Sequence, residues 1–387
     1  MARIAVLGSL PSSLVAFRRF LIEAMIAQGH EVFACAPDAP DDVRAKLDEM
    51  GAIYCDAPLK RAGMNPLQDL ATIAGLTRLF RRISPDVFLG YTAKPIIYGS
   101  LAAHFTGVPH IYSMIEGLGY AFSGNDVRRR LLASVLGAMY RTALRHNERV
   151  FYLNPDDIEF SVQQGMLAAR EQAYLIGGIG VDLLHFSPRP LPRKVSFLMT
   201  NRLLWDKGVG EYVEAARQVR ARHPDVRFRL LGGLDVNPNS VRPEHLQQWV
   251  DSGDIDYYGH QSDVRPFIAD SAVCVLPSYC REGVPATLME AMAMGRALIT
   301  TDAPGCRETV EQGRNGFLVP VRDTHALAEA MLRFVEEPAL VTCLGQESRR
   351  IAEERFDVHK VNRRFLDAMN LMRGSGNFTL QDASSAA

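Results

Sequence analysis

Tryptophan occurs twice in the 387 residues and cysteine six times. Nowhere is there an unbroken apolar run of about 18 residues, so no membrane-crossing helix is expected. The cysteines (Cys35, Cys55, Cys274, Cys280, Cys306 and Cys343) form no CxxC pair, and none has a histidine at ligand spacing. That pattern argues against a zinc site and fits a reducing compartment, where cysteines act as small buried hydrophobes. The formal net charge of -1 supplies no global field for nucleic acid, so none is expected as a partner. The N-terminus begins with the strand-like Arg3-Ile4-Ala5-Val6-Leu7 rather than a charged region and an apolar stretch, so no signal peptide is read. The dinucleotide fingerprint is missing too. After Gly8, the run Ser9-Leu10-Pro11-Ser12 supplies no second or third glycine, which removes the main support for a dehydrogenase. These absences leave a cytoplasmic protein, free or lying on a membrane surface.

What is present is an alternation of short apolar runs with longer helical patterns. Ile4 to Leu7, Glu31 to Ala36, Val87 to Leu89, His110 to Ser113 and Val150 to Leu153 read as strands, with helical stretches between them, among them Ser12 to Ala27. Apolar strands without strict alternation indicate a parallel sheet covered on both faces. Three prolines between Phe186 and Arg193 break the rhythm, which then restarts with strands at Ser196, Phe228, Ile255, Val273, Leu298 and Phe317. The expected fold class is α/β, with two Rossmann-like doubly wound domains facing a central cleft. Residues 1–186 form the first domain and 187–194 a linker. Residues 195–355 form the second domain, 356–373 a C-terminal helix returning to the first, and 374–387 a disordered tail. Ligands of such folds sit at the carboxyl ends of the strands.

The strongest local signal is Glu282-Gly283-Val284-Pro285-Ala286-Thr287-Leu288-Met289-Glu290, which follows the strand ending at Leu276 and opens a helix. A helix start offers free N–H groups and partial positive charge to a diphosphate. Carboxylates are acceptor-only and suit vicinal hydroxyls, so of Glu282 and Glu290 one is read towards a sugar and one towards a ribose. The bland alternative is a helix-start charge and a surface glutamate. Arg202 and Lys207 flank a strand-to-helix turn with spacing that lets both face one anion; the alternative is a solvated charge pair. Gly232 and Gly233 end a strand and permit close backbone approach, with Tyr258 nearby for the base. Gly8 and Ser9 end the first strand in the same way.

These segments resemble the E-x7-E element and accompanying landmarks of retaining glycosyltransferases of the two-domain GT-B type, family 4 (group 1). The landmarks appear in order: Gly180-Val181-Asp182, Asn201 to Gly208, Leu230 to Gly233, Tyr258-Gly259, Glu282 to Glu290, Gly305 to Glu308, and Asn315 to Val319. The resemblance implies a nucleotide-sugar co-substrate, expected to be a UDP-sugar, and no cofactor. It also implies that Arg202 and Lys207 clamp the leaving diphosphate while Gly283, Val284, Pro285, Ala286, Thr287 and Glu290 bind the nucleotide. Where many relatives carry a histidine near the donor sugar, this chain has Glu116, read as a ligand for a sugar hydroxyl or the acceptor, or as an ordinary loop carboxylate. Lys60 to Pro66, Pro95 to Gly99, Ile115 to Phe122 and Leu234 to Pro238 resemble a subgroup near the N-acetylgalactosaminyltransferases that extend undecaprenyl-diphosphate-linked sugars. The implied acceptor is a polyprenyl-diphosphate-linked glycan, in polysaccharide or glycan biosynthesis.

Two further features bear on partners. The stretch Arg128 to Arg149 carries six arginines among apolar residues and suits an anionic membrane surface, making the protein peripheral on the inner face of the cell membrane. A core-packing helix with a solvated basic face accounts for it equally. Asp254-Ile255-Asp256 has a DxD shape but enters a strand far from the glutamate pair, so no metal is assigned. A sugar-nucleotide epimerase and a catalytically inert binding protein remain as readings from other classes.

Overall fold

A computed structural model describes residues 1–59, 66–119, 122, 127–235, 237 and 239–372. Several sequence readings lie outside the described residues: Lys60–Asn65, Tyr120, Val236, Pro238, the side chains of Arg128 and Arg129, and the tail from 374.

The first half is a seven-stranded parallel sheet: β1 (Arg3–Leu7), β2 (Glu31–Ala36), β3 (Ile53–Asp56), β4 (Val87–Tyr91), β5 (His110–Ile115), β6 (Arg149–Tyr152) and β7 (Ala173–Leu175). The order is β3-β2-β1-β4-β5-β6-β7, so the chain reverses direction across the sheet between β1 and β4. The second half is a six-stranded sheet of β8 (Ser196–Thr200), β9 (Arg227–Leu231), β10 (Asp256–Tyr257), β11 (Val273–Leu276), β12 (Ala297–Thr301) and β13 (Gly316–Val319), ordered β10-β9-β8-β11-β12-β13. Its reversal falls between β8 and β11. The central strands are apolar on both faces because helices cover both, with Ile4, Val6, Phe88, Phe151, Phe197 and Ile299 fully buried.

Two departures from the sequence reading have physical causes. The helix expected over Ser12 to Ala27 is two helices, Pro11–Ala16 and Arg19–Ala27. The break at Phe17 and Arg18 turns the Arg18 side chain into the domain, where it is 2% exposed. Strands β3 and β7 are short, partly exposed edge strands, and the four-residue apolar runs that contain them, at Ala52 to Cys55 and Ala173 to Ile176, do not by themselves tell strand from helix.

The chain crosses between the halves twice, side by side: Val181 N–H donates to Phe356 O at 2.7 Å and Val358 N–H to Val181 O at 3.1 Å. The proline-rich segment lies against the second half, where the buried Arg296 guanidinium donates to Arg189 O (2.9 Å) and Pro190 O (3.1 Å). After the return crossing, helix Val358–Ala368 packs on helix Arg19–Ala27, with the Phe365 and Phe151 rings 4.9 Å apart. The two reversal points thereby face each other across a cleft.

Candidate active site

Loops at the carboxyl ends of the central strands build the cleft. Thr92 follows β4, Glu116 follows β5, Arg202 and Lys207 follow β8, and Glu282 follows β11. All five line one cavity of about 330 Å³. Lys207 reaches it because Gly208 turns the chain at φ +79° immediately before helix Val209–Arg222, and a side chain there would strike Pro277 O.

Lys207 Nζ and Glu282 Oε1 form an ion pair with each side chain 13% exposed. Ser278 Oγ donates to the same oxygen at 2.8 Å and the Cys280 thiol at 3.2 Å. Burial pushes Cys280 up to about 12, so it stays a thiol and can donate. Burial alone would raise the Glu282 carboxyl, but the Lys207 charge and these hydrogen bonds outweigh it and hold the group below the ordinary carboxylate range. Burial would equally lower Lys207, yet the Glu282 charge keeps it above the usual amine value. Both groups are therefore charged at neutral pH. Three donors converge on Oε1, and among the described residues no hydrogen bond is made to Oε2. Arg202, 58% exposed, is held at 3.0 Å by Asp235. Asp206 lines the same cavity with Oδ1 buried and without a partner among the described residues, and burial raises its carboxyl.

Helix Ala286–Ala293 starts three residues after Gly283, the last residue of this cavity's lining, and its Ala286 lines a second cavity. Its Ala286 and Thr287 amides precede the first intrahelical donor and have no intrahelical acceptor; Val284 is buried and Pro285 is the N-cap. Glu290 lines that second cavity, of about 420 Å³, with Arg19, Asp182, Ser262 and Ala286. Burial pushes its carboxyl up to about 7, and no hydrogen bond offsets that among the described residues. The two glutamates therefore open onto two different cavities, one before the helix and one along it.

The remaining expected residues are placed as follows. Gly283 abuts the first domain, where an added Cβ would come within 2.0 Å of Glu116 O. Gly8 faces Tyr91, whose hydroxyl fills the space a side chain would need. Ser9 Oγ accepts a hydrogen bond from Thr92 Oγ1 at 2.9 Å. Gly232 accepts one from the Tyr257 hydroxyl at 2.8 Å, and Gly233 O accepts one from Leu203 N–H at 3.1 Å. Tyr258 packs edge-on against Phe267 and lines neither of the two cavities. Asp254 and Asp256 are each paired with an arginine, Arg217 and Arg227.

Several participants were not read from sequence. Asn154 Nδ2 donates across the cleft to Glu282 O at 3.0 Å. Arg281 pairs with the buried Asp157 at 3.0 Å, and Arg307 with Asp156 at 2.8 Å. Arg18 pairs with Glu116. The one available signal was the helix-start pattern Asn154-Pro155-Asp156-Asp157, with asparagine at the cap and proline after it.

Helix Val127–Leu144 exposes Leu131, Val135 and Arg141, with Arg145 exposed in the turn after it, and helix Pro66–Ile83 exposes Leu67, Leu70, Arg78, Arg81 and Arg82. Both pack on Pro95–Phe105, so they flank one surface of the first domain. No helix among the described residues is long and apolar enough to cross a membrane.

Residues 194–337 match the family model of group 1 glycosyl transferases, and residues 16–175 match that of the glycosyl transferase 4-like domain. The chain is 26% identical over 378 residues to the N,N'-diacetylbacillosaminyl-diphospho-undecaprenol alpha-1,3-N-acetylgalactosaminyltransferase of Campylobacter jejuni, covering 94% of this chain and 97% of that one. It is 30% identical over 309 residues to EpsD of Bacillus subtilis, named as a glycosyltransferase, covering 76% and 79%. It is 23% identical over 331 residues to the Escherichia coli UDP-Gal:alpha-D-GlcNAc-diphosphoundecaprenol alpha-1,3-galactosyltransferase, covering 80% and 84%. Among solved structures, a Rickettsia africae glycosyltransferase superposes with a TM-score of 0.76 at 17% identity, covering 97% of this chain and 99% of that one. HepE of Anabaena, solved with UDP-glucose, gives 0.77 at 17%, covering 96% and 100%. With its two parallel sheets and facing reversal points, the chain belongs to the group 1 glycosyltransferases and is a hexosyltransferase of GT-B fold.

Proposed function

We propose that this enzyme transfers an N-acetylhexosamine from a UDP-sugar to a hydroxyl of an undecaprenyl-diphosphate-linked saccharide, with retention of anomeric configuration and without a metal ion. The observation that carries the reading is the convergence of Lys207, Arg202 and Glu282 on one cavity, with the helix that begins at Ala286 opening on the second. Lys207, Arg202 and the Ala286 and Thr287 amides stabilise the charge that grows on the diphosphate as the sugar–oxygen bond breaks. Losing one such group typically costs about 10²–10³ in rate. Glu282 Oε2 accepts from a donor-sugar hydroxyl, and Glu290 from the ribose in the second cavity. Tyr258, Gly232 and Gly233 border the base, and Gly8 and Ser9 shape the first-domain wall.

No side chain in this set is assigned as a covalent nucleophile. The acceptor oxygen attacks the anomeric carbon from the face the diphosphate leaves, and its proton passes to a diphosphate oxygen. Closure of the halves excludes water and suppresses hydrolysis of the donor. The acceptor assignment is supported by two relatives, from C. jejuni and E. coli, whose names specify undecaprenol-diphosphate-linked sugars. Docking on the inner membrane face is supported by the apolar and basic outer surfaces of helices Pro66–Ile83 and Val127–Leu144.

The test is a screen of radiolabelled nucleotide sugars against undecaprenyl-diphosphate-linked saccharides, with and without chelator. An α-linked product from an α-linked donor, formed equally with chelator, is the expected result. An inverted linkage or chelator-dependent transfer overturns the mechanism. An epimerised nucleotide sugar formed without acceptor overturns the activity.

A further inference from the structure

Arg18 is the largest fully buried side chain in the first half, and it lies directly behind the cleft. It occupies the break between helices Pro11–Ala16 and Arg19–Ala27. One guanidinium nitrogen donates to Phe17 O at 2.9 Å and the other pairs with Glu116 Oε1. The guanidinium carbon lies 4.6 Å from the centre of the Tyr91 ring, and Nε is buried without a partner among the described residues. Tyr91 is itself fixed, its hydroxyl 2.8 Å from Ser13 Oγ and packed over Gly8. The far end of this arrangement is Glu116, 29% exposed and lining the cavity that holds Lys207 and Glu282. Its backbone oxygen is pinned against Gly283 of the other half.

We infer that Arg18 is a positioning residue for the transfer reaction: it holds one oxygen of Glu116 from behind, so that the other accepts a hydrogen bond from an acceptor hydroxyl beside the one that attacks the donor sugar and so orients the acceptor. The inference rests on the proposed transferase reading and deepens it. Three physical points carry it. A guanidinium offers only donors and a carboxylate only acceptors, so Arg18 fits one oxygen of Glu116 and leaves the other suited to a hydroxyl donor. A planar guanidinium stacked on a ring and tethered to a carbonyl has little freedom, so the carboxylate it holds is pre-set in direction. The same cleft repeats the arrangement opposite, where Lys207, Ser278 and Cys280 hold one oxygen of Glu282. Each half thus contributes one carboxylate anchored through a single oxygen.

The test compares wild type with Arg18→Lys, Arg18→Met, Glu116→Gln and the double variant Arg18→Met/Glu116→Gln. It reads kcat, KM for donor and acceptor, UDP affinity by calorimetry, and thermal midpoint. Arg18→Lys keeps the charge but loses the fork and the ring stacking, and it covers the case in which Arg18→Met fails to fold. Expected are at least a tenfold loss of kcat in Arg18→Lys and in Glu116→Gln, with UDP affinity within twofold of wild type. The double variant should fall within threefold of Glu116→Gln, because Arg18 acts only through that carboxylate. Wild-type kcat in a folded Arg18→Lys, or losses that multiply in the double variant, overturns the inference. Absence of transfer by wild type with every donor tested overturns the underlying reading instead. UDP binding then still reports whether the donor cavity is intact.

Discussion

Lys207 and Glu282 come from loops after two adjacent strands, β8 and β11, and meet as an ion pair buried to the same depth on both sides. Removing one partner strands the other charge in a poorly solvated place. Lys207→Ala is expected to reduce transfer by about 10²–10³ and to cost about 3–5 kcal/mol of stability. Lys207→Met with Glu282→Leu should recover most of that stability, since no charge is left buried, while transfer stays absent. Denaturant midpoints and product assays on the same preparations check both halves. A double variant with restored activity would remove the pair from the mechanism.

The same pair sets a pH dependence. The Glu282 carboxyl lies below its ordinary range when folded, so its contribution is fully present above the unfolded value of about 4.3. It is lost as pH falls through the folded value. Lys207 is raised, so its contribution persists below the unfolded value of about 10.4 and is lost only as pH rises through the folded one. Between those limits the pair contributes a constant amount. Glu282→Gln should therefore flatten the acid side of the stability profile, measured by thermal midpoint from pH 3 to pH 8.

Glu290 works in the opposite sense. Its carboxyl is pushed up to about 7, so the folded state holds a proton that the unfolded state releases near pH 4–5. Stability then falls as pH rises from the unfolded value to about 7, by on the order of 3–4 kcal/mol. Glu290→Gln should be more stable than wild type at pH 8 and indistinguishable at pH 4. If Glu290 binds ribose as a carboxylate, UDP affinity in wild type should rise between pH 6 and pH 8 and stay flat in the variant. Calorimetry at three pH values decides it.

Gly283 tests the contact between the halves. A Cβ there has no room beside Glu116 O, so Gly283→Ala should hold the cleft open. The expected outcome is at least a tenfold loss of kcat, a larger radius of gyration by small-angle scattering, and UDP affinity close to wild type. An unchanged radius together with full activity would show that the two loops need not touch during turnover.

The surface flanked by helices Pro66–Ile83 and Val127–Leu144 makes the membrane reading testable. Near an anionic surface each cation contributes about 1 kcal/mol, so Arg78→Glu with Arg82→Glu should weaken binding to anionic vesicles at least ~10-fold. Leu131→Asp should weaken it further, at little cost to folding because Leu131 is 68% exposed. Transfer to a short-chain, water-soluble acceptor should be unaffected in both. Sedimentation with vesicles, beside the soluble assay, separates docking from catalysis.

The sequence by itself determined the two parallel sheets, because strands buried on both faces must be continuously apolar. It also brought out Arg202, Lys207 and Glu282, because each lies in a short motif next to a strand end. The short edge strands β3 and β7 escape that reading, because apolar runs of four residues do not by themselves tell strand from helix. Only the tertiary structure decided which charges meet. Lys207 and Glu282 are 75 residues apart and Arg18 and Glu116 are 98 apart. Nothing local in Phe17-Arg18-Arg19-Phe20 marks the first arginine as buried and the second as exposed. Burial of a charge depends on the partner that compensates it, and that partner comes from a distant part of the chain. The same holds for Glu282 and Glu290, one motif in the sequence but two cavities in the fold. One carboxylate is kept ionised by a lysine, and the other, with no partner among the described residues, is pushed up to about 7.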